Sequence, residues 1–209
     1  MTTLFGTDGI RGKAFEPPLD KDTVGRLGSA LAGVLTKTPH VLLAGDTRSS
    51  TEVLAGWFAG SFAADGGAVT WGGVLPTPAV SQLVRGGNYG AGVVISASHN
   101  PAEDNGIKIL GPSGEKLDDS SERRLEERIV AARLQTGGRL PLADRSLAPR
   151  YLELILTSLG NGRPRSGMHL VVDAANGAAS GLAEELFETL GAKVTSIASS
   201  PDGSNINRG

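Results

Sequence analysis

The chain has 209 residues, room for one full domain and part of another, and is 39% apolar and 20% charged, the balance of a folded globular protein. Its formal net charge of −2 gives no reason to expect a nucleic acid or a membrane surface as partner, while leaving a local Arg/Lys cluster free to hold a small anion. The lack of cysteine excludes disulfides, thiolate metal sites and cysteine nucleophiles, and with neither a leader pattern at residues 1–6 nor an apolar run of about 18 residues, a cytoplasmic protein is expected.

Residues 19–35 place Val24, Leu27, Leu31 and Val34 at helical spacing, with Asp20 available as a cap. Residues 40–44 form a short apolar run, expected as a strand. Residues 50–64 read as a helix stopped by Gly66-Gly67, and residues 68–71 as the next strand. Thr77-Pro78 is expected to open a short helix, with Thr77 as N-cap and Pro78 at the first helical position. Residues 92–95 carry no charge, are β-branched beyond Gly92, and read as a central strand buried on both faces. Asn105-Gly106 is a tight-turn signal, with residues 107–110 following as another strand. Residues 120–134 form a charged helix with Leu125, Ile129 and Leu134 inward. This alternation predicts a layered α/β sheet with helices on both faces, an α/β/α sandwich.

A boundary is expected within residues 136–149, which are rich in Gly, Pro and Arg. Residues 151–159 then form a connecting helix, followed by a strand at 170–173, a helix at 178–190 and a strand at 193–197. The expected division is a first domain at 1–140, a linker and connecting helix at 141–160, and the start of a second domain at 161–209. A lone β-α-β unit buries too little apolar surface to offset its ordering entropy, so the second domain is expected to be incomplete.

Ser98, in Ser96-Ala97-Ser98-His99-Asn100-Pro101, follows the buried strand. Ligands of open α/β sheets sit outside the carboxyl ends of strands, so its hydroxyl is placed to face a crevice. Position alone favours a loop serine acting as a cap. Asn100-Pro101 is a turn- or helix-opening pair whose amides suit an anion. His99 is suited to steadying a phosphate or passing a proton, or to being a solvated loop histidine. Lys108 is either a proton donor or point charge for the same crevice, or a lysine on an exposed strand face. Gly6-Thr7-Asp8-Gly9-Ile10-Arg11-Gly12 brings backbone amides together with the planar donor fork of Arg11, unless it is simply a tight turn with an exposed arginine. Asp46-Thr47-Arg48-Ser49-Ser50 offers a second anion contact or an Asp–Arg pair that braces the next helix, the latter slightly favoured. The histidines His40, His99 and His169 are too dispersed for a zinc site. Glu103 and Asp104 read as a solvated pair.

Taken together, Phe5-Gly6-Thr7-Asp8-Gly9-Ile10-Arg11-Gly12, Asp46-Thr47-Arg48, Gly73-Val74-Leu75-Pro76-Thr77-Pro78, the Ser98 motif, Asp104-Asn105-Gly106-Ile107-Lys108, Val172-Asp173-Ala174-Ala175-Asn176-Gly177-Ala178 and Pro201-Asp202-Gly203-Ser204-Asn205-Ile206-Asn207 resemble the α-D-phosphohexomutase family, in family order along the whole chain. The resemblance implies an enzyme that interconverts the 6- and 1-phosphates of a sugar, most closely the amino sugar glucosamine, feeding cell-wall precursor synthesis. It implies Ser98 as phosphate carrier, chosen over Ser96 by alignment alone, and a sugar bisphosphate as intermediate and primer. Lys108 is implied as acid/base or charge stabiliser and His99 as a shaper of the site. Arg11, Asn100 and Arg48 are the candidate phosphate contacts. Magnesium is implied as cofactor, held by the Ser98 phosphate and by an aspartate loop lying beyond Gly209, as do the sugar-contacting loop and the loop gripping the second phosphate. The expected partner is a small sugar phosphate, with a separately encoded C-terminal half as a further possibility, and little activity is expected from these residues alone. The alternatives are phosphomannomutase or phosphoglucomutase activity within the same family, a non-catalytic anion-binding fragment, or one half of a split enzyme.

Overall fold

The computed structural model describes residues 4–35, 37, 39–135, 137–160 and 167–208. Five short apolar runs become β1 (Ile10–Lys13), β2 (His40–Gly45), β3 (Ala68–Val74), β4 (Ala91–Ile95) and β5 (Asp104–Leu110), joined in one sheet in the order β1-β5-β4-β2-β3. β2 runs parallel to β3 and β4, whereas β5 is antiparallel to both β4 and β1. β4 takes the middle place and every residue in it is buried, as its uncharged run predicts.

Alternation along β2 divides the core. Val41 and Leu43 pack with Leu27 and Leu31 of α1 (Lys21–Val34), Leu54 and Phe58 of α2 (Thr51–Ala64) and Leu125 and Ile129 of α4 (Asp119–Ala131). Leu42 and Ala44 face the other way, onto Val80, Leu83 and Val84 of α3 (Thr77–Arg85) and Leu147 of α5 (Leu147–Ser158). Helices therefore cover both faces, the expected α/β/α arrangement. Asp20 caps α1 as its position predicts, accepting from the amides of Asp22 and Thr23 at 3.0 and 3.1 Å.

Several local expectations are corrected. Asn105-Gly106 makes no turn but lies inside β5, where Gly106 pairs with Arg11 of β1. The Asn105 side chain finds long-range partners that a turn would forgo: its amide donates to Ser50 Oγ at 2.8 Å in a fully buried position. Thr77 is the first helical residue of α3, not its cap. Pro76 holds the extended cap conformation, and its carbonyl accepts from Ala79 N at 2.8 Å. α4 stops at Ala131, so Leu134 packs from beyond the helix. α5 starts at Leu147, inside the predicted linker. Burial of Leu147 anchors it there, and Asp144, bonded to Trp71 O at 2.7 Å, accepts from Ser146 N and Oγ at the helix start. Pro149 is tolerated because first-turn amides have no helical acceptor. Thr136 of the predicted boundary and residues 161–166 lie outside the described residues, as do residues 1–3.

The second sheet is the parallel pair β6 (His169–Asp173) and β7 (Lys193–Ile197), connected through α6 (Leu182–Thr189). The helix is shorter than the expected 178–190, because residues 178–181 turn before it. Neither strand holds a buried residue, and Val171 is 66% exposed.

Candidate active site

β4 delivers the chain to the serine loop at the end of its middle strand. Pairing runs one residue past the strand, Ser96 N donating to Gly106 O at 2.9 Å, before the chain turns back towards β5. Ala97 is buried beneath the turn and Ser98 is exposed with φ 57°, in the left-handed region that non-glycine residues avoid. An unfavourable backbone of this kind persists only where surrounding bonds over-determine it. Here they do.

Arg48 supplies most of those bonds. Its side chain is 0% exposed; Nη2 donates to the carbonyls of Ser98 and Asn100 at 2.9 and 3.0 Å, and Nη1 to that of Pro101 at 2.6 Å. Nε donates to Asp46 Oδ2 at 3.0 Å. Asp46 also accepts from Arg48 N and Thr51 Oγ1, both at 3.1 Å, and from Ser96 Oγ at 2.6 Å. A buried ion pair is tolerated only when its remaining donors and acceptors are satisfied, and this one is. The expectation that Arg48 contacts a phosphate is therefore corrected. Its fork is enclosed and committed, and it braces the serine loop.

The same network separates the two serines. Ser96 Oγ donates to Asp46 and accepts the amide of Ser98 at 3.0 Å, so it is a structural hydroxyl. Ser98 Oγ points to the exposed side and lies 3.5 Å from His99 Nδ1. Asn100 opens no helix. Its amide donates to Ala97 O at 3.1 Å and its side chain to Asp104 Oδ2 at 2.9 Å, so the backbone donor expected to meet an anion is already paired. Asp104 is accordingly a loop brace rather than half of a solvated pair.

The N-terminal loop closes on itself, Gly6 and Gly9 exchanging amide-to-carbonyl bonds at 2.9 and 3.2 Å. Those two amides are thus unavailable to a ligand. Gly9 has φ 92°, and a Cβ there would sit 2.4 Å from Ile107 O, so the loop presses directly on β5. Its tip presents Asp8, which lies 3.1 Å from Arg11 Nη2 and 3.8 Å from Lys108 Nζ. Arg11 faces Gly106, where a side chain would stand 2.7 Å from Ser96 O. The absent side chain lets β1 and the root of the serine loop approach. Lys108 pairs with Val94, two residues before Ser96. Arg11, Lys108 and the serine loop therefore share one end of the sheet.

Residues from the second sheet's loops also reach this end. Asn207 Nδ2 donates to His99 O at 2.8 Å, Ser49 N to Gly203 O at 2.9 Å, and Thr47 Oγ1 to Asn176 O at 2.5 Å. A cavity of about 370 Å³ opens between His99, Pro101 and Glu103 on one side and Ser204, Asn207 and Arg208 on the other.

The residues present do not by themselves make a magnesium site. Among the described residues no three His, Asp or Glu side chains are grouped to hold a metal ion, and Asp46 and Asp104 are committed to the bonds above. His40 and His169 are each paired with a strand threonine, Thr70 and Thr195, on different sheets. Among the described residues no helix is long and apolar enough to cross a membrane.

A family model for the phosphoglucomutase/phosphomannomutase alpha/beta/alpha domain I matches residues 2–136. Phosphoglucosamine mutases of Solibacter usitatus and Thermus thermophilus are 43% and 42% identical over 98% and 100% of this chain, covering 47% and 48% of their own lengths. The chain thus spans about half the length of the curated relatives it matches. A crystal structure of a phosphoglucomutase/phosphomannomutase family protein from Burkholderia thailandensis matches with a TM-score of 0.80 at 30% identity, over 97% of this chain and 45% of that one. The match over residues 2–136 and the shared sheet architecture lead to one conclusion: this chain belongs to the phosphoglucomutase/phosphomannomutase family.

Proposed function

We propose that this chain supplies the phosphoserine half of a phosphohexomutase that interconverts glucosamine 6-phosphate and glucosamine 1-phosphate. The observation that carries the reading is the presentation of Ser98: an exposed hydroxyl on a strained turn, held from beneath by a buried ion pair, at the end of the sheet shared by Arg11 and Lys108.

In the forward half-reaction the bond between the Ser98 oxygen and phosphorus breaks while a sugar hydroxyl oxygen bonds to phosphorus. The hydroxyl proton leaves and the serine oxygen gains one. The resulting bisphosphate then returns its other phosphate to Ser98. Such transfers depend mostly on positioning and on neutralising charge over the equatorial oxygens. Arg11 offers a planar fork for those oxygens, Lys108 a point charge or a proton, and His99 a ring nitrogen beside the serine. Magnesium and a sugar bisphosphate are proposed as cofactor and primer, with nothing in this chain assigned to the metal beyond the phosphate on Ser98. The proposed division is a serine-loop domain at 1–140, a linker and connecting helix at 141–160, and the start of a second domain from 161.

Identity to phosphoglucosamine mutases over nearly the whole chain supports the amino sugar over mannose or glucose. The test is direct. After incubation with magnesium, glucosamine 1,6-bisphosphate and a separately produced second half, peptide mass analysis should find phosphate on Ser98, lost in Ser98→Ala and kept in Ser96→Ala. Phosphate on Ser96 instead, or on neither serine, overturns the reading. Mutase assays of the chain mixed with a separately produced second half, comparing glucosamine, mannose and glucose phosphates, decide the substrate.

A further inference from the structure

Asp8 is an acidic group that the proposed chemistry leaves without a task, yet it sits among the groups that chemistry needs. Its two carboxylate oxygens are divided between cations, Oδ2 lying 3.1 Å from Arg11 Nη2 and Oδ1 3.8 Å from Lys108 Nζ. Neither pair is sealed off: the side chains of Asp8, Arg11 and Lys108 are 53%, 31% and 28% exposed. The pairs are therefore open to solvent.

We propose that Asp8 is a positioning residue that stands in for phosphate: it occupies the anion position between Arg11 and Lys108 while no phosphate is bound, and gives that position up when one arrives. This rests on the reading of Arg11 and Lys108 as phosphate contacts given above.

Three features carry it. The first is geometric. A carboxylate bridging a guanidinium and an ammonium holds the two donors at a spacing that another oxyanion can inherit, because both anions present oxygens about as far apart as the donor groups require. The second is the mounting. Asp8 is carried by the two-residue tip between Gly6 and Gly9, and Gly9 is pressed against the Ile107 carbonyl, so the loop root is fixed while the Asp8 side chain stands out into solvent. The third is that Asp8 does not satisfy the whole of its partner. Arg11 Nε is enclosed without an acceptor among the described residues, so Asp8 leaves the guanidinium incompletely satisfied. An internal carboxylate with these properties keeps the cations from repelling each other in the empty site. It also repels a second anion, and so must weaken phosphate binding.

The sign of that effect gives the test. In Asp8→Asn the turn keeps a residue suited to it and loses only the charge. Exposed ion pairs are worth about 1 kcal/mol or less, so the expected gain in affinity for inorganic phosphate is about two- to fivefold at low salt, read by calorimetric or NMR titration of the chain. The gain should shrink towards unity at about 1 M salt, where screening acts within roughly 3 Å; a change in turn structure would not respond to salt in this way. Asp8→Ala should show the same direction. Equal or weaker phosphate binding in both variants overturns the proposal. Arg11→Ala separates the layers beneath it. If it abolishes phosphate binding while Asp8→Asn brings no gain, only the stand-in role of Asp8 fails. If it leaves binding unchanged, the cation pair is not the phosphate contact, and both this proposal and the site assignment under it fail.

Discussion

Replacing Arg48 with methionine removes the clamp on the serine loop while roughly preserving volume. Three carbonyls lose their donors, and Asp46 loses its Nε partner at 3.0 Å. Breaking one side of a buried ion pair costs about 3–5 kcal/mol. The lower end applies here because Asp46 keeps the amide of residue 48, the Thr51 hydroxyl and the Ser96 hydroxyl. For a chain of this size about 3 kcal/mol corresponds to a fall in Tm of roughly 6–12 °C, measured by circular dichroism. Ser98 should also be phosphorylated by the bisphosphate more slowly, since its strained turn has lost the bonds that hold it. Pairing Arg48→Met with Asp46→Leu should recover part of the stability, because an apolar pair of similar volume often equals a buried ion pair. It should not recover the phosphorylation rate, since the loop carbonyls still lack donors and Ser96 lacks an acceptor. A Tm within about 2 °C of the parent for Arg48→Met, measured under the same conditions, refutes the clamp.

Ser98→Ala and Ser98→Gly both remove the hydroxyl proposed to carry phosphate, but only alanine must hold φ 57° with a Cβ, so the glycine variant should be the more stable by about 1 kcal/mol in chemical denaturation. Equal stability would place the strain elsewhere. At Asp20 partial burial pushes the carboxyl up, but the Thr23 amide and hydroxyl and the Asp22 amide outweigh it and hold the group below its ordinary value. A depressed folded pKa contributes stability above the unfolded value and loses it as pH falls through the folded one. Asp20→Asn should therefore flatten the acid limb of the stability curve between about pH 5 and pH 2, and an unchanged limb would contradict the capping account.

What the sequence made legible was whatever depends on near neighbours. The uncharged run of β4, the cap at Asp20 and the apolar run of β2 each reflect a local pattern, and each is found as expected. Asn105-Gly106 misled because its local signal is a turn, while its actual partners, Ser50 and Arg11, are distant in the chain and become available only on folding. Ser96 and Ser98 look alike in the motif. Their difference comes from Asp46, which reaches one and not the other. Arg48 reads from its motif alone as a phosphate contact or a brace, and its burial beneath the carbonyls of Ser98, Asn100 and Pro101 decides for the brace. Asp8 was in plain view inside the glycine-punctuated loop, but nothing in its spacing announces that Lys108 will stand beside it.

The contacts from Gly203 and Asn207 onto Ser49 and His99 tether the Ser98 turn and its neighbours to a part of the chain that lies far along the sequence. A swing of the β6–β7 pair must either drag the turn along or sever those tethers, so displacing that pair and disturbing the Ser98 turn are mechanically one event.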